Sequence, residues 1–139
     1  MYEKYSKVQH KNTYESTIEF VKFISKHINL NKKNIIDLAC GGGANTIYLA
    51  EKFKSSFIIG IDINKNLLKL ANQETNKKNI KNIKFLIGNW FDVVKKNIDG
   101  VIAFQALSFI EGSLEKKSLF LIKKTLILWL FQLYVLHLM

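Results

Sequence analysis

Two aspartates and a run of three glycines are the residues of this chain best placed to do chemistry. Asp37 lies in the apolar run Ile35-Ile36-Asp37-Leu38-Ala39, and Cys40-Gly41-Gly42-Gly43 follows before an apolar-periodic segment begins. Nineteen residues after Gly43, the run Phe57-Ile58-Ile59-Gly60-Ile61 ends on a second acid, Asp62. Glycines permit positive φ and leave no side chain between backbone and ligand. A helix starting there directs its unpaired N–H groups, and roughly half a positive charge, at whatever binds. Strand, glycine loop, helix, strand, acid is the layout of a nucleotide-binding βαβ unit, in which the second acid holds ribose hydroxyls. Three consecutive glycines exceed what a tight strand–helix turn requires.

A dinucleotide site asks for one glycine more, three positions after the second. With Gly41 and Gly43 as the first two, that position is Thr46, which counts against NAD. An NAD-type nucleotide-binding protein is therefore the minor alternative. Asp37, inside the strand end, needs loop N–H groups or a ligand to satisfy it.

The elements that position these residues follow from periodicity. Residues 13–28 read as an amphipathic helix, with Ile18, Val21, Ile24 and Ile28 at steps of three and four and Asn12 or Thr13 as N-cap. Residues 35–39 suit a buried parallel strand, and a helix from about Ala44 to Lys54 turns Ile47, Ala50 and Phe53 inward. Residues 57–62 form the second strand, and Asn64 caps a helix to about Asn76 with Leu67, Leu68 and Ala71 on its apolar side. A lysine and asparagine loop leads to a third strand at 83–87, ending at Gly88-Asn89-Trp90. Val93 and Val94 sit in a short turn, residues 98–104 form a fourth strand, and a helix runs from about Ser113 to Lys124.

This alternation predicts an α/β fold, a doubly wound, mostly parallel sheet with helices on both faces and right-handed crossovers. Ligands of such sheets bind outside the carboxyl ends of the strands. Asp37, Asp62, Asn89 and Gln105 all fall at or just past those ends.

Composition narrows the setting. A chain of 139 residues with 48% hydrophobic and 23% charged residues is one globular domain. The formal charge is +10, and all 21 basic residues are lysine. The lysines come in scattered pairs, as on solvated helix ends and loops. Without arginine there is no bidentate fork for phosphate or guanine, which argues against a nucleic-acid partner. The single cysteine, Cys40, excludes an internal disulfide, and residues 1–12 form a polar arm with no signal-peptide core. A cytoplasmic protein is the expectation.

Asp37-Leu38-Ala39-Cys40-Gly41-Gly42-Gly43 resembles the first motif of class I S-adenosylmethionine (SAM)-dependent methyltransferases, Asp/Glu-x-Gly-x-Gly-x-Gly, with Ala39 in place of the first glycine. Gly60-Ile61-Asp62-Ile63-Asn64 is similar to the second motif, and Phe85 to Asp92 to the third, with Asn89 where Asp is common. Asp99 to Gln105 resembles the fourth. The resemblance covers roughly residues 14–124 and implies a Rossmann-like fold with SAM as cofactor. It implies that Asp37, Ala39, Gly41 and Gly43 line the methionine part of SAM, with Cys40 among them. Asp62 would accept both ribose hydroxyls, Ile63 would pack on adenine, and Asn89, beside Trp90, would accept from the adenine amino group. Phe104 and Gln105 would face the methionine end and the acceptor.

Methyl transfer from a sulfonium is an in-line displacement that mainly needs donor and acceptor aligned. No general base stands out; His10, His27 and His137 fall outside the motif edge, and no metal site is expected. Proline is absent, so neither the Asn/Asp-Pro-Pro-Tyr motif of DNA adenine methylation nor a Pro-Cys pair exists. The loop Gln105-Ala106-Leu107-Ser108-Phe109 suits a small-molecule or glycan acceptor. Nothing after the fourth strand reads as the antiparallel hairpin that completes the family's sheet, so a truncated, inactive methyltransferase is the main alternative. Thr125 to Met139 is an almost wholly apolar stretch of fifteen residues. That is short of the roughly 20 a membrane span needs. It reads as a buried fifth strand with a ragged end, as a membrane-associating or partner-binding tail open to self-association, or as a tail produced by truncation or frameshift of a longer gene.

Overall fold

The computed structural model describes residues 15–89 and 97–103. Within them lie three helices, α1 (Glu15–His27), α2 (Ala44–Lys52) and α3 (Lys65–Lys77). Four strands accompany them, β1 (Asn34–Leu38), β2 (Phe57–Asp62), β3 (Ile83–Ile87) and β4 (Gly100–Ile102). The fourth strand expected at 98–104 is shorter here, and Ala39 leaves the first strand for a left-handed conformation. The turn at Val93 and Val94, the helix at Ser113 to Lys124, the apolar stretch, the N-terminal arm, and the site candidates Trp90, Phe104 and Gln105 lie outside the described residues.

All strand pairs are parallel, in the order β3-β2-β1-β4. The chain steps outward from β1 to β3 and returns to place β4 on the other side of β1. That reversal creates a crevice at the carboxyl ends of β1 and β4, the place where such sheets bind ligands. The β1–β2 register sets Asp37 beside Gly60, and the β2–β3 register sets Gly60 beside Phe85.

The sheet's two faces follow from side-chain alternation. On one, Ile35, Ile58 and Ile102 join Phe20, Val21 and Ile24 of α1 and Leu49 and Ala50 of α2 in one buried cluster. Ala71 of α3 packs against Gly43 on this side as well. On the other, Ile36, Leu38, Ile61 and Val101 form a second buried cluster. The described helices thus cover the face that carries Ile35 and Asp37.

Local chemistry sets the ends of these elements. The Asn64 side chain accepts from the N–H groups of Asn66 and Leu67, capping α3 as the sequence predicts. Asp99 accepts from the Asn34 N–H at 2.8 Å and from Lys33 Nζ at 3.3 Å, tying the start of β4 to the start of β1. Ser56 Oγ donates to the Leu30 carbonyl. Asn82 Nδ2 donates to the carbonyls of Ala50, Phe53 and Ser56 at 3.0, 3.2 and 2.9 Å, joining the end of α2 to the approach to β3.

Candidate functional site

The loop after β1 is built from backbone turns that only some residues adopt without strain. Ala39 has φ 52°, Gly41 φ 54° and Gly43 φ 80°. Ala39 stands where the resembling motif has its first glycine and still takes the left-handed conformation, which costs an L-residue with a Cβ about 1–2 kcal/mol. Gly43 N–H donates to the Cys40 carbonyl at 2.9 Å, closing a turn with Gly41 and Gly42 at its centre. Only the first of those two has positive φ, which favours glycine at 41. Gly43 then serves as N-cap residue of α2.

Asp62 holds this loop. Its Oδ2 accepts the Gly41 N–H at 2.8 Å, and its Oδ1 accepts the Asn64 N–H at 2.8 Å. An ionised carboxylate has about four acceptor positions, so among the described residues one remains open on each oxygen. Two adjacent acceptors of this kind match a vicinal diol. Gly41 presents an open side there: a Cβ added to it would meet nothing nearer than Leu67 Cδ1 at 3.9 Å. The Gly42 N–H makes no hydrogen bond among the described residues.

Asp37 finds a partner the sequence reading did not name. Thr46 Oγ1 donates to its Oδ2 at 2.6 Å. Both residues are buried. Thr46 is the residue that breaks the dinucleotide pattern, and in the structure it supplies a hydroxyl to a buried acid. Burial pushes the Asp37 carboxyl up from its ordinary 3.8 to about 7; the Thr46 hydrogen bond opposes this and the nearby Asp62 charge adds to it. An acid nine residues upstream of a threonine at a strand–helix turn was the available signal.

The remaining candidates divide by position. Cys40 gives its N–H to the Ile61 carbonyl at 3.0 Å and turns its thiol toward Gly60, 2.9 Å from where a Cβ there would lie. Burial, with the Asp37 and Asp62 charges beside it, pushes the thiol well above its ordinary range, so it stays protonated and is no nucleophile. Ile63 is 73% exposed just after Asp62, and Asn89 is exposed just past β3, beyond Gly88, whose N–H donates to the Asp62 carbonyl at 3.1 Å. Ile87, paired in register with Asp62, is 60% exposed and was not singled out in the sequence. Two bare isoleucines at the carboxyl ends of adjacent strands offer an apolar surface beside the Asp62 acceptors. His27 lies at the end of α1, its ring 4.7 Å from that of Phe23, near the amino end of β1 and away from this edge. Asn45, in the first turn of α2, keeps a buried Oδ1 with no hydrogen-bond partner among the described residues.

Among the described residues no group of three or more His, Cys, Asp or Glu is placed to hold a metal ion. No helix among them is long and apolar enough to cross a membrane.

A parallel sheet, a glycine loop at its switch point and an acid bracing that loop from the next strand define a Rossmann-like nucleotide-binding domain. Residues 29–126 match the family described as a methyltransferase domain, and the chain belongs to that family. It is 34% identical over 82 residues to release factor glutamine methyltransferase of Buchnera aphidicola subsp. Schizaphis graminum, covering 59% of this chain and 30% of that protein. It is 30% identical over 56 residues to (S)-coclaurine N-methyltransferase of Thalictrum flavum subsp. glaucum, covering 40% of this chain and 16% of that one. The crystal structure of a SAM dependent methyltransferase from Aquifex aeolicus superposes with a TM-score of 0.61 at 16% identity, over 72% of this chain and 55% of that one. That likeness shows the fold. The chain spans 19–34% of the length of the release factor glutamine methyltransferases it matches.

Proposed function

We propose that this chain carries the cofactor-binding part of a SAM-dependent methyltransferase acting on a small-molecule or glycan acceptor in the cytoplasm. The observation that carries the reading is the Asp62 carboxylate. It braces Gly41 and Asn64 and keeps one acceptor position per oxygen beside the open face of Gly41. These residues fit SAM: Asp62 for the ribose hydroxyls, Ile63 against adenine with Asn89 at its edge, and Asp37, Ala39, Gly41 and Gly43 around the methionine end. When bound, SAM supplies a methyl on a sulfonium that an acceptor displaces in line, so the protein's work is chiefly alignment. Asp37, buried at the loop, offers a negative charge when it ionises, and the rest of the loop offers backbone.

Supporting the small-molecule acceptor are the coclaurine relative and the absence of proline, which leaves no Asn/Asp-Pro-Pro-Tyr motif. The release factor relatives favour a second reading, a protein glutamine as acceptor. Turnover with a glutamine-bearing peptide but with no small amine or sugar decides for that reading.

Calorimetric titration of the folded chain with SAM and with its demethylated product tests the cofactor assignment. The expected result is saturable heat in the wild type. Asp62→Ala, checked for folding by circular dichroism, binds about tenfold to a hundredfold more weakly, as loss of a charged hydrogen-bond acceptor implies. A folded wild type that gives no heat overturns the proposal.

A further inference from the structure

Gly43 and Gly60 are seventeen residues apart on different elements, yet one side chain explains why neither carries a Cβ. A Cβ on Gly43 would lie 2.8 Å from Phe85 Cζ and 2.9 Å from its Cε1. A Cβ on Gly60 would lie 2.6 Å from Phe85 Cδ1 and 2.7 Å from Cε1. One edge of one ring therefore lies across both glycines. The ring comes from β3, where Phe85 pairs in register with Gly60, so its base is fixed to the sheet. Ala71 of α3 closes the space beside it, 2.8 Å from the Gly43 Cβ position.

The loop is thus held at two points. Asp62 takes the Gly41 N–H. The phenyl edge meets Gly43. Gly41 is the glycine whose missing side chain leaves open space, whereas at Gly43 the protein itself fills that space. We propose that Phe85 is a positioning residue for the cofactor loop: its ring edge sets the height of Gly41–Gly43 over the sheet, and with it the placement of Gly41's open face relative to the Asp62 carboxylate. The proposal rests on the cofactor reading above and adds a residue that touches no ligand itself. An aromatic ring suits the role because it is rigid and flat enough to span two backbones. A branched aliphatic side chain leaves a void into which the loop relaxes.

Two opposite perturbations test this. Phe85→Leu opens a void under the loop, and Gly60→Ala pushes the ring toward Gly43. Ile58→Val, fully buried on the same face but at a different register step, is the control for simple core damage. Native-state hydrogen exchange of the unliganded protein reads the loop directly. Both loop variants are expected to lose protection at the Gly41 amide about tenfold beyond any loss at the core amide of Leu49, and Ile58→Val is not. Both are also expected to weaken binding of the demethylated cofactor about tenfold or more, as small misplacements do. If either variant fails to fold, the other still decides. Variants that lower the melting temperature but leave Gly41 protection and cofactor affinity as in the control overturn the proposal and make Phe85 ordinary core. Should the wild type bind no cofactor while the exchange pattern holds, the cofactor reading falls and the ring's hold on the loop stands.

Discussion

Asp37 and Thr46 show how a single buried pair makes a domain sensitive to pH. The Asp37 carboxyl is pushed from 3.8 to about 7 by burial. Between about pH 4 and pH 7 the folded chain therefore keeps a proton that the unfolded chain has already lost. Stability falls as pH rises through that window, by on the order of 4 kcal/mol once Asp37 is fully ionised. Asp37→Asn, which keeps the shape and an acceptor for Thr46, should flatten the decline between pH 5 and pH 8 in urea unfolding. An unchanged decline would place the cause elsewhere. Thr46→Val removes the only polar side-chain partner Asp37 has among the described residues and should cost about 1–3 kcal/mol, more at pH 8 than at pH 5. Ala39 is strained at φ 52°. Ala39→Gly should relieve it and raise stability by about 0.5–1 kcal/mol, after allowing for the extra freedom glycine has when unfolded. A lower urea midpoint in Ala39→Gly would show that the Cβ contributes packing that outweighs the strain. Residue types announced the two acids and the glycines, but the hydroxyl that answers Asp37 was hidden. Its one sign was the spacing, a threonine nine residues after an acid across a strand–helix turn, which does not by itself say that the two side chains meet.

At the scale of elements, the strands and helices follow the periodic pattern closely because each apolar face has one place to go. Phe57–Asp62 and Ile83–Ile87 form over the spans that apolar runs and turn residues mark, and Asn64 caps α3 as its position suggests. Asn64→Ala should cost about 1 kcal/mol, measured by thermal unfolding. The connection made by Asn82 was not legible, since an asparagine among lysines reads as loop filler. In the structure its amide nitrogen serves three carbonyls at once. Asn82→Leu leaves three backbone acceptors at the foot of α2 without that donor and should destabilise by about 2–3 kcal/mol. If it unfolds at the wild-type midpoint, solvent serves those carbonyls as well. The earlier end of β1 was also not legible. Ala39 belongs to the loop, because a left-handed residue cannot continue β1. Hydrophobicity alone gave no reason to stop there.

Across the whole molecule, the parallel order β3-β2-β1-β4 gives the sheet a chemical direction. The connections at the amino edge carry Lys32, Lys33, Lys54, Lys78 and Lys81 with Asp99, whereas the carboxyl edge carries Asp37 and Asp62 with Lys65. The proposed cofactor, with a sulfonium and an ammonium group, would find its charge complement at that edge. The convergence of Asp37, Asp62 and Asn89 on that edge was readable from spacing alone, because a βαβ unit returns every strand in the same sense. The packing that fixes the loop was not. Phe85 reaches Gly43 and Gly60 through space, and no local pattern links positions so far apart in the chain. Relatives in the family differ in the acceptors their names give. The most direct test of the central claim is amide chemical-shift mapping of the folded chain titrated with the demethylated cofactor. The account predicts saturable shifts at Gly41, Gly42, Asp62, Ile63 and Asn89, with Asn31, Lys33 and Asp99 at the opposite edge unmoved. Saturable shifts at the amino edge, or a loop that responds to NAD and not to the methyltransferase cofactor, would contradict it.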